Sequence, residues 1–396
     1  AMQLFNIIQW ILIIYSTSVV LFLLGYAILG KIPYHPKHST KKYKHKIALF
    51  IPGYKEDEVI VSVAQKALQL DYPKDKYDVI VIADSFKPDT IAALKSLPIK
   101  VIEVSFEKST KARALNKAMS QLSSEYEIAL ILDADNVLKK DFLNKINDSF
   151  NAGYQVVQGH RTAKNLNTPV AVLDAASEEI NNTIYSLGHR VIGLSSRLVG
   201  SGMAFNYPLF KNTMATIDAI GGFDKELELK LLKKKIKIEY RHDAICYDEK
   251  VHQSDSFAKQ RMRWLSAQYY YFKHYFFDAL KDLVTKGNID YFDKAYQMML
   301  PPRLLFPGFL FVLFAVNLLI QPGHIITWFW VSLFAGNILS FFVAIPSWLY
   351  NKQLLEAFMK IPSAFFKIFM ALFKLKDANK SYIHTPHTNF EPENHL

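Results

Sequence analysis

Short apolar runs alternate with segments of helical periodicity between residues 47 and 265. The runs have the length and composition of buried strands, which we predict at Ile47–Pro52, Tyr77–Ala83, Ile99–Val104, Glu127–Leu132 and Val156–Gly159. Helices are predicted between some of these strands, at Val59–Leu70 and Lys111–Leu122. The alternation predicts βαβ units, and therefore an α/β domain with a mostly parallel sheet and helices on both faces.

A long uncharged segment precedes this domain. Leu4–Leu29 has no charged residue and, at about 1.5 Å per residue, is long enough to cross a hydrocarbon core of about 30 Å. A secretory signal peptide is the alternative, but the run is too long for its apolar region and no small-residue cleavage site follows. We therefore predict a transmembrane helix over residues 1–30. The linker at residues 31–46 has six lysines and no acid, which places it on the cytoplasmic side.

The composition changes again after residue 265. Trp264–Leu283 is rich in Tyr and Phe, which predicts helices in the membrane interface over residues 266–300. Leu304–Asn351 contains no Asp, Glu, Lys or Arg and is interrupted by a Pro-Gly turn. Residues 301–351 are therefore predicted to form a transmembrane hairpin that returns the chain to the cytoplasmic side.

Lysines follow this hairpin at every seventh position among apolar residues, at Lys360, Lys367 and Lys374. The repeat predicts an amphipathic helix on the membrane surface over residues 352–378, with a further membrane-spanning helix as the alternative. Residues 379–396 are predicted to be a C-terminal tail.

The composition is that of a membrane protein. Hydrophobic residues make up 51% of the chain and the net charge is +11. A basic surface suits nucleic acid or anionic lipid, but the long apolar segments favour the membrane, and no nucleic acid is expected. The single cysteine, Cys246, excludes an internal disulfide and a thiolate metal cluster. We predict an integral protein of a bacterial-type inner (plasma) membrane with a cytoplasmic α/β domain.

Candidate chemistry appears where the strand Glu127–Leu132 ends in Asp133-Ala134-Asp135. Ligands of parallel sheets bind at the carboxyl ends of the strands, and two acids there repel each other unless a cation lies between them. A divalent cation shared with substrate phosphates suits such a pair. The alternative is a helix N-cap at Asp135 or Asn136. Neither a G-x-G-x-x-G segment nor a P-loop is present, so dinucleotide and P-loop chemistry are not indicated.

Four more segments occur in a recognisable order: P-G-Y-K-E at 52–56, A-D-S at 83–85, K-A-R-A-L-N at 111–116 and Q-R-M-R-W at 260–264. With D-A-D at 133–135, they resemble the motifs of the membrane-embedded polysaccharide synthases of glycosyltransferase family 2. That group includes the cellulose, hyaluronan and poly-N-acetylglucosamine synthases. The resemblance covers nearly the whole chain and implies a GT-A type nucleotide-sugar-binding domain. The chain departs from the usual pattern in Lys55, where Asn is usual, and in Ala83, where an acid is usual.

The resemblance also implies roles for individual residues. Asp133 and Asp135 would hold Mg²⁺ or Mn²⁺, and the nucleotide sugar would contact Tyr54, Glu56, Asp84, Lys111, Asp133, Gln260 and Arg263. The acceptor would contact Ser201, Gly202 and Trp264. A guanidinium fork suits a diphosphate and an indole face suits a sugar ring. Outside this context, the alternative for Q-R-M-R-W is a basic-aromatic anchor at the membrane interface.

The general base is implied less directly. Aligning Leu227-Glu228-Leu229 with the family's L-E-L segment puts Glu226 in the base position, where the family has Asp preceded by a second acid. Asp224 is the second candidate. The alternative is that these acids are solvated positions at the start of a helix, where they favour the helix dipole.

The resemblance implies inverting transfer from a UDP sugar, UDP-GlcNAc or UDP-Glc, to a growing β-linked polysaccharide. The alternative acceptor is a lipid such as ceramide, diacylglycerol or polyprenyl phosphate, and a non-catalytic membrane scaffold is a third interpretation. A homo-oligomer or an export partner would complete a polymer channel. Tyr382–His387 resembles the synthases' gating segment. The charged segment Tyr247–Val251 is predicted either to line the acceptor path or to form structural salt bridges.

Overall fold

A computed structural model describes residues 2–123, 125–217, 222–250 and 254–362, together with Phe365 and Met370. The side chains of residues 2–4, 254–259 and 263 lie outside this description, as do the predicted tail and most of the predicted helix at 352–378. The described strands are β1 (Ile47–Tyr54), β2 (Tyr77–Asp84), β3 (Lys100–Val104), β4 (Ile128–Ile131), β5 (Val137–Leu138), β6 (Val156–Ala163), β7 (Met203–Asn206) and β8 (Ile238–Asp248).

The helices surround this sheet and extend beyond it. They are α1 (Met2–Leu29), α2 (Ile60–Ala67), α3 (Pro88–Lys95), α4 (Lys111–Gln121), α5 (Phe142–Asn151), α6 (Pro169–Asn182), α7 (His189–Val191), α8 (Tyr207–Met214), α9 (Phe223–Lys233), α10 (Ser254–Lys286), α11 (Ile289–Gln297), α12 (Phe306–Ile320), α13 (Ile325–Ala344) and α14 (Lys352–Phe358). A π-helical segment, Thr183–Gly188, joins α6 to α7.

The strands form one sheet in the order β3-β2-β1-β4-β7-β6-β8-β5. Strands β1 to β4 pair in parallel, as do β6 and β8, whereas β7 is antiparallel to both of its neighbours. All four residues of β4 are buried, as expected for a central strand covered by helices on both faces. The predicted α/β class with a mostly parallel sheet is confirmed.

The aromatic helices after the sheet share its core. Ala267, Tyr271 and Ala279 of α10 are buried in the same apolar cluster as Phe50 and Ile131 of the sheet. The opposite face of α10 is exposed and apolar at helical spacing, with Tyr270, Phe277 and Val284 exposed by 50%, 75% and 79%. The helix is therefore part of the α/β domain on one face and offers an apolar stripe on the other.

Three apolar helices form a second cluster beside the domain. By length and composition, Phe5–Leu29 and Ile325–Ala344 can each cross a membrane, whereas α12, with 15 residues, is shorter. Gln9 of α1 accepts a hydrogen bond from the Trp330 indole at 2.6 Å, and Lys31 donates to the Ile345 carbonyl at 2.9 Å. Helices α1 and α13 therefore run parallel, which puts the turn between α12 and α13 at the end away from the α/β domain.

Two glycines let the end of α1 approach the π-helical segment closely. A Cβ atom on Gly188 would lie 2.4 Å from the Tyr26 carbonyl oxygen, and one on Gly30 would lie 2.5 Å from the Thr183 carbonyl oxygen. Both positions therefore exclude any side chain unless the backbones separate.

We expect Gly188→Ala to lower the free energy of unfolding by about 1–3 kcal/mol, because the added methyl group overpacks this contact. Gly25→Ala is the matched control, since a Cβ there meets no atom within 4 Å. Thermal unfolding of both variants in detergent micelles measures the effect. Equal midpoints for the two variants would show that the contact does not hold α1 against the domain.

Candidate active site

The two predicted metal-binding aspartates lie in a turn that a glycine-rich segment supports. The Asp133 N–H donates to Ser201 Oγ at 2.9 Å, and the Gly202 N–H donates to the Ile131 carbonyl at 2.8 Å. Gly200 and Gly202 have positive φ angles of 85° and 61°, which side chains rarely adopt. Ser201 is fully buried beneath the turn. The segment predicted beside the acceptor therefore packs under the aspartates.

A buried amide orients the second aspartate. With its nitrogen toward the carboxylates, Asn136 donates to Asp135 Oδ1 at 3.1 Å and to Asp248 Oδ1 at 3.0 Å, and its oxygen accepts from Ser201 Oγ at 2.7 Å. Asp248 ends β8, far along the chain from the D-A-D segment. The sequence showed Asp248 only as part of a charged segment, so its place at this turn is a new finding.

Lys111 joins the first aspartate from α4. Its Nζ forms an ion pair with Asp133 and donates to the Gly200 carbonyl at 2.7 Å. The helix starts at Lys111 because the Thr110 side chain caps it, accepting from the Arg113 N–H. Both side chains of the ion pair are partly exposed, so an anionic substrate can reach the ammonium group.

The pairing register of β1 and β2 brings the other predicted nucleotide-binding residues to the same edge of the sheet. Tyr54 pairs with Asp84 at the ends of β1 and β2, and Ser85 donates to Asp84 Oδ1 at 2.9 Å. The residues that follow these strands, Lys55 and Ser85, have φ angles of 56° and 60°. Two non-glycine residues in this conformation mark a strained edge, as is common around functional sites. Glu56 follows at the start of the connection to α2 and is buried.

We expect Lys55→Asn to raise the free energy of unfolding by about 0.5–1 kcal/mol, because asparagine tolerates a positive φ better than lysine. Lys235→Asn should show a similar gain, since its φ is 58° at the end of α9, away from this edge. Denaturant titration of the two variants provides the comparison. A loss of stability in Lys55→Asn would contradict strain at this residue.

The two candidate bases lie on different sides of α9. Phe223 begins the helix and lies under the Lys111 ammonium, 5.5 Å from Nζ to the ring centroid. Asp224 Cγ is 4.0 Å from the point where a Cβ on Gly200 would lie. Glu226 instead forms an ion pair with Lys230 at 2.7 Å and accepts from the Tyr275 hydroxyl at 3.5 Å. Asp224, and not Glu226, is thus brought beside the group formed by Lys111 and Gly200.

The Q-R-M-R-W segment lies on α10. Arg261 forms an ion pair with Asp174 of α6 and stacks on Trp264, 4.5 Å from the ring centroid. The Trp264 side chain is 41% exposed, as an acceptor platform requires. Gln260 Oε1 is buried and has no hydrogen-bond partner among the described residues. Arg263 is part of the helix, and its side chain lies outside the described residues.

The arrangement fits a divalent cation held partly by substrate. No group of three or more His, Cys, Asp or Glu side chains suited to a metal occurs among the described residues. Mg²⁺ is usually bound by one or two carboxylates together with substrate phosphates, so a pair such as Asp133 and Asp135 is sufficient. The ion pair with Lys111 shows that the Asp133 carboxylate already binds a positive group.

Comparison with known proteins identifies the family. Residues 45–267, more than half of the chain, match the profile described as glycosyltransferase like family 2. The chain belongs to this family. Its α/β domain is therefore of the GT-A type. The polysaccharide-synthase subgroup suggested by the motifs is a finer assignment that the family match leaves open.

Individual relatives are distant. The glycosyltransferase is 23% identical over 290 residues to the beta-monoglucosyldiacylglycerol synthase of Synechocystis sp., covering 69% of this chain and 58% of that protein. The corresponding synthase of Nostoc sp. is 24% identical over 308 residues, with 73% and 64% covered. The chain thus spans less than two thirds of the length of these relatives.

Solved structures of low sequence identity also align. A mannosyltransferase of Pyrobaculum calidifontis in complex with GDP-Man and Mn²⁺ gives a TM-score of 0.49 at 17% identity, covering 83% of this chain and 97% of that chain. The glucosyl-3-phosphoglycerate synthase of Mycobacterium tuberculosis, in complex with Mn²⁺, UDP and glucosyl-3-phosphoglycerate, gives 0.38 at 16% identity, covering 54% and 75%.

Proposed function

We propose that this glycosyltransferase moves a sugar from a UDP sugar to a lipid acceptor at the membrane surface, with inversion at the anomeric carbon. The observation that carries the proposal is the ion pair between Arg261 and Asp174. It joins the Q-R-M-R-W segment to α6, and Val172 and Leu173 of α6 pack in the same cluster as the apolar helices. An acceptor beside Trp264 would therefore lie at the level where those helices meet the α/β domain.

The curated relatives support a lipid in preference to a polysaccharide, since each is named as a synthase of a glucosyldiacylglycerol. A polymer channel would also need many spanning helices, and the described residues include two helices of sufficient length. A lipid acceptor reaches the site from the bilayer and needs no export partner. UDP-glucose is the first donor to test, because the relatives' names specify a glucosyl group.

We assign the donor side of the site to the strand edge. Tyr54, Glu56 and Asp84 would contact the nucleoside, and Lys111 and Arg263 the diphosphate, with Gln260 beside them. Mg²⁺ or Mn²⁺ on Asp133 and Asp135 would stabilise the negative charge of the leaving UDP. Asn136, which is held by Ser201 and Asp248, fixes the direction of the Asp135 carboxylate, which keeps this part of the site preorganised.

We assign the general base to Asp224 because it lies beside Gly200, whose carbonyl oxygen accepts a hydrogen bond from Lys111. It would take the proton of the acceptor hydroxyl while that oxygen forms its bond to the anomeric carbon. The bond from this carbon to the UDP oxygen breaks in the same displacement, and UDP leaves with its electron pair. The exchange inverts an α-linked donor into a β-linked product.

The same features support the proposed membrane location. The apolar stripe of α10 formed by Tyr270, Phe277 and Val284 suits a membrane interface. The basic segment at 31–46 suits the cytoplasmic leaflet, whose anionic lipids attract lysines. We therefore place the catalytic domain on the cytoplasmic face of the membrane.

UDP release from the purified protein tests this function. A panel of UDP sugars is offered with Mn²⁺ or EDTA, in micelles with and without diacylglycerol. The proposal predicts release that requires both the metal and the lipid, and a β-linked product by proton NMR. No release with any donor would instead support the non-catalytic scaffold.

A further inference from the structure

Basic side chains from several elements contact one face of α6. They outnumber the acidic side chains on that face. Asp174, Ser177 and Glu178 lie on this face at helical spacing. The cationic side chains that contact these residues come from β6, the loop before β7, the end of β8, α10 and the loop before α12. They are Arg161, Arg197, Lys250, Arg261 and Arg303. We call these five residues the cationic cluster.

Glu178 is the centre of the inner half of the cluster. Arg161 Nε donates to it at 2.9 Å, Arg197 Nη2 lies 3.5 Å away, and Lys250 forms an ion pair with it. Lys250 also pairs with Asp248 at 2.7 Å, which connects the cluster to the turn that holds Asp135. The three cations and two acids of this inner half therefore carry an excess of one positive charge.

The outer half lies toward the apolar helices. Arg303 Nη2 donates to the carbonyl and the hydroxyl of Ser177 at 3.1 and 2.9 Å, and no carboxylate is paired with it among the described ion pairs. Arg303 Nη1 and Arg197 Nε are buried donors without a partner in the described part of the chain.

Among the residues that the structure describes, this site has more cations than paired carboxylates. In the ion pairs of the described residues, these five cations contact three carboxylates, those of Asp174, Glu178 and Asp248, and buried donors without partners are costly. A phosphate group would supply both the missing negative charge and the missing hydrogen-bond acceptors. It brings one or two negative charges and several acceptor oxygens, which guanidinium groups bind in paired hydrogen bonds.

The surroundings indicate what carries this phosphate. Leu300 and Phe306, on either side of Arg303 in the chain, pack in the same cluster as α1 and α13. Arg261 stacks on Trp264, a partly exposed side chain that we assign to the acceptor. We propose that Arg303, Arg261 and Arg197 bind the phosphate group of a membrane lipid. The proposal refines the lipid acceptor proposed above, but it concerns binding and can be tested without transfer.

Two short-chain lipids that differ only in the phosphate provide the test. Binding of dioctanoyl phosphatidic acid and of dioctanoylglycerol to the full-length protein is measured in neutral detergent. We expect the wild type to bind the phosphate lipid at least about tenfold more tightly, as for charge-assisted hydrogen bonds, and Arg303→Gln to lose most of this preference. Lys352→Gln is the control, because Lys352 is a cation of α14 that is 89% exposed and lies outside the cluster.

A second variant and two competition measurements separate a lipid-phosphate site from the alternative ligands. Arg197→Gln provides a second variant if Arg303→Gln does not fold, as judged by thermal unfolding. Equal binding of the two lipids by the wild type, or a preference that survives in both folded variants, would overturn the proposal. So would full displacement of phosphatidic acid by UDP-glucose with Mg²⁺, which would assign the cluster to the donor, or by equimolar inorganic phosphate, which would assign it to a soluble anion.

Analysis of the reaction product then distinguishes the two roles that a bound phosphate lipid can have, acceptor or activator. Sugar attached to the phosphate lipid makes it the acceptor, whereas transfer to diacylglycerol that phosphatidic acid stimulates makes it a bound activator. Both results support the cluster's role. If the phosphate preference holds but no sugar is transferred to any lipid, the proposed function fails while this inference stands.

Discussion

Asp135→Ala is expected to reduce kcat/KM for sugar transfer by at least about 10³-fold. A divalent cation at Asp133 and Asp135 would supply several kcal/mol of charge stabilisation to the departing UDP, and a factor of 10³ corresponds to about 4 kcal/mol. Asp135 is 6% exposed and its carboxylate is held by Asn136, so alanine removes a preoriented ligand that a flexible neighbour cannot replace. Steady-state kinetics over a range of Mn²⁺ concentrations would show the loss.

The matched control for this variant is Asp89→Ala, since Asp89 is an exposed acid in the first turn of α3, away from the strand edge. It should retain activity within about twofold, as surface substitutions usually do. Thermal unfolding of Asp135→Ala must show a folded protein for the comparison to hold. Activity above about a tenth of the wild type in folded Asp135→Ala would mean that the cation is held elsewhere.

Asp224→Asn is the second variant with a large expected effect. Removing a general base usually costs about 10²- to 10⁴-fold in rate, and asparagine keeps the size of the side chain while losing its ability to accept a proton. KM for the donor should change little, because Asp224 would act on the acceptor hydroxyl. The acidic limb of the pH–rate profile should disappear with the base.

Glu226→Gln decides between the two acids. In the structure, the Glu226 side chain forms an ion pair with Lys230, four residues along α9, and accepts a hydrogen bond from Tyr275. Such a pair is worth about 0.3–0.5 kcal/mol, so the variant should lose little stability and keep most of its activity. The opposite pattern, with Glu226→Gln inactive and Asp224→Asn active, would restore the assignment that the sequence alignment favours.

The strand edge could be predicted because its signal is local. Each of β1, β2 and β4 is an apolar run that ends in polar residues, and parallel pairing must bring those ends together. The family resemblance then named the residues at each end. The local pattern predicts the α/β domain, and the family resemblance implies its GT-A type.

The support of the site could not be predicted in this way. Asn136 reaches Asp248 only because β5 and β8 pair, and neither strand has a clear apolar alternation. The base depends on the rotation of α9 about its axis, which is set by where the helix begins and by packing on α10. The cationic cluster combines side chains from five separate elements, so no short sequence window contains it.

One measurement tests the central claim most directly. The purified enzyme is incubated with UDP-[¹⁴C]glucose, Mn²⁺ and a total lipid extract, and the label is divided between an organic phase and a high-mass aqueous fraction. We predict label in the organic phase as a single sugar on lipid, absent in Asp135→Ala and with EDTA. Label in high-mass, glycosidase-sensitive material, with none on lipid, would contradict the lipid acceptor and identify a polysaccharide synthase.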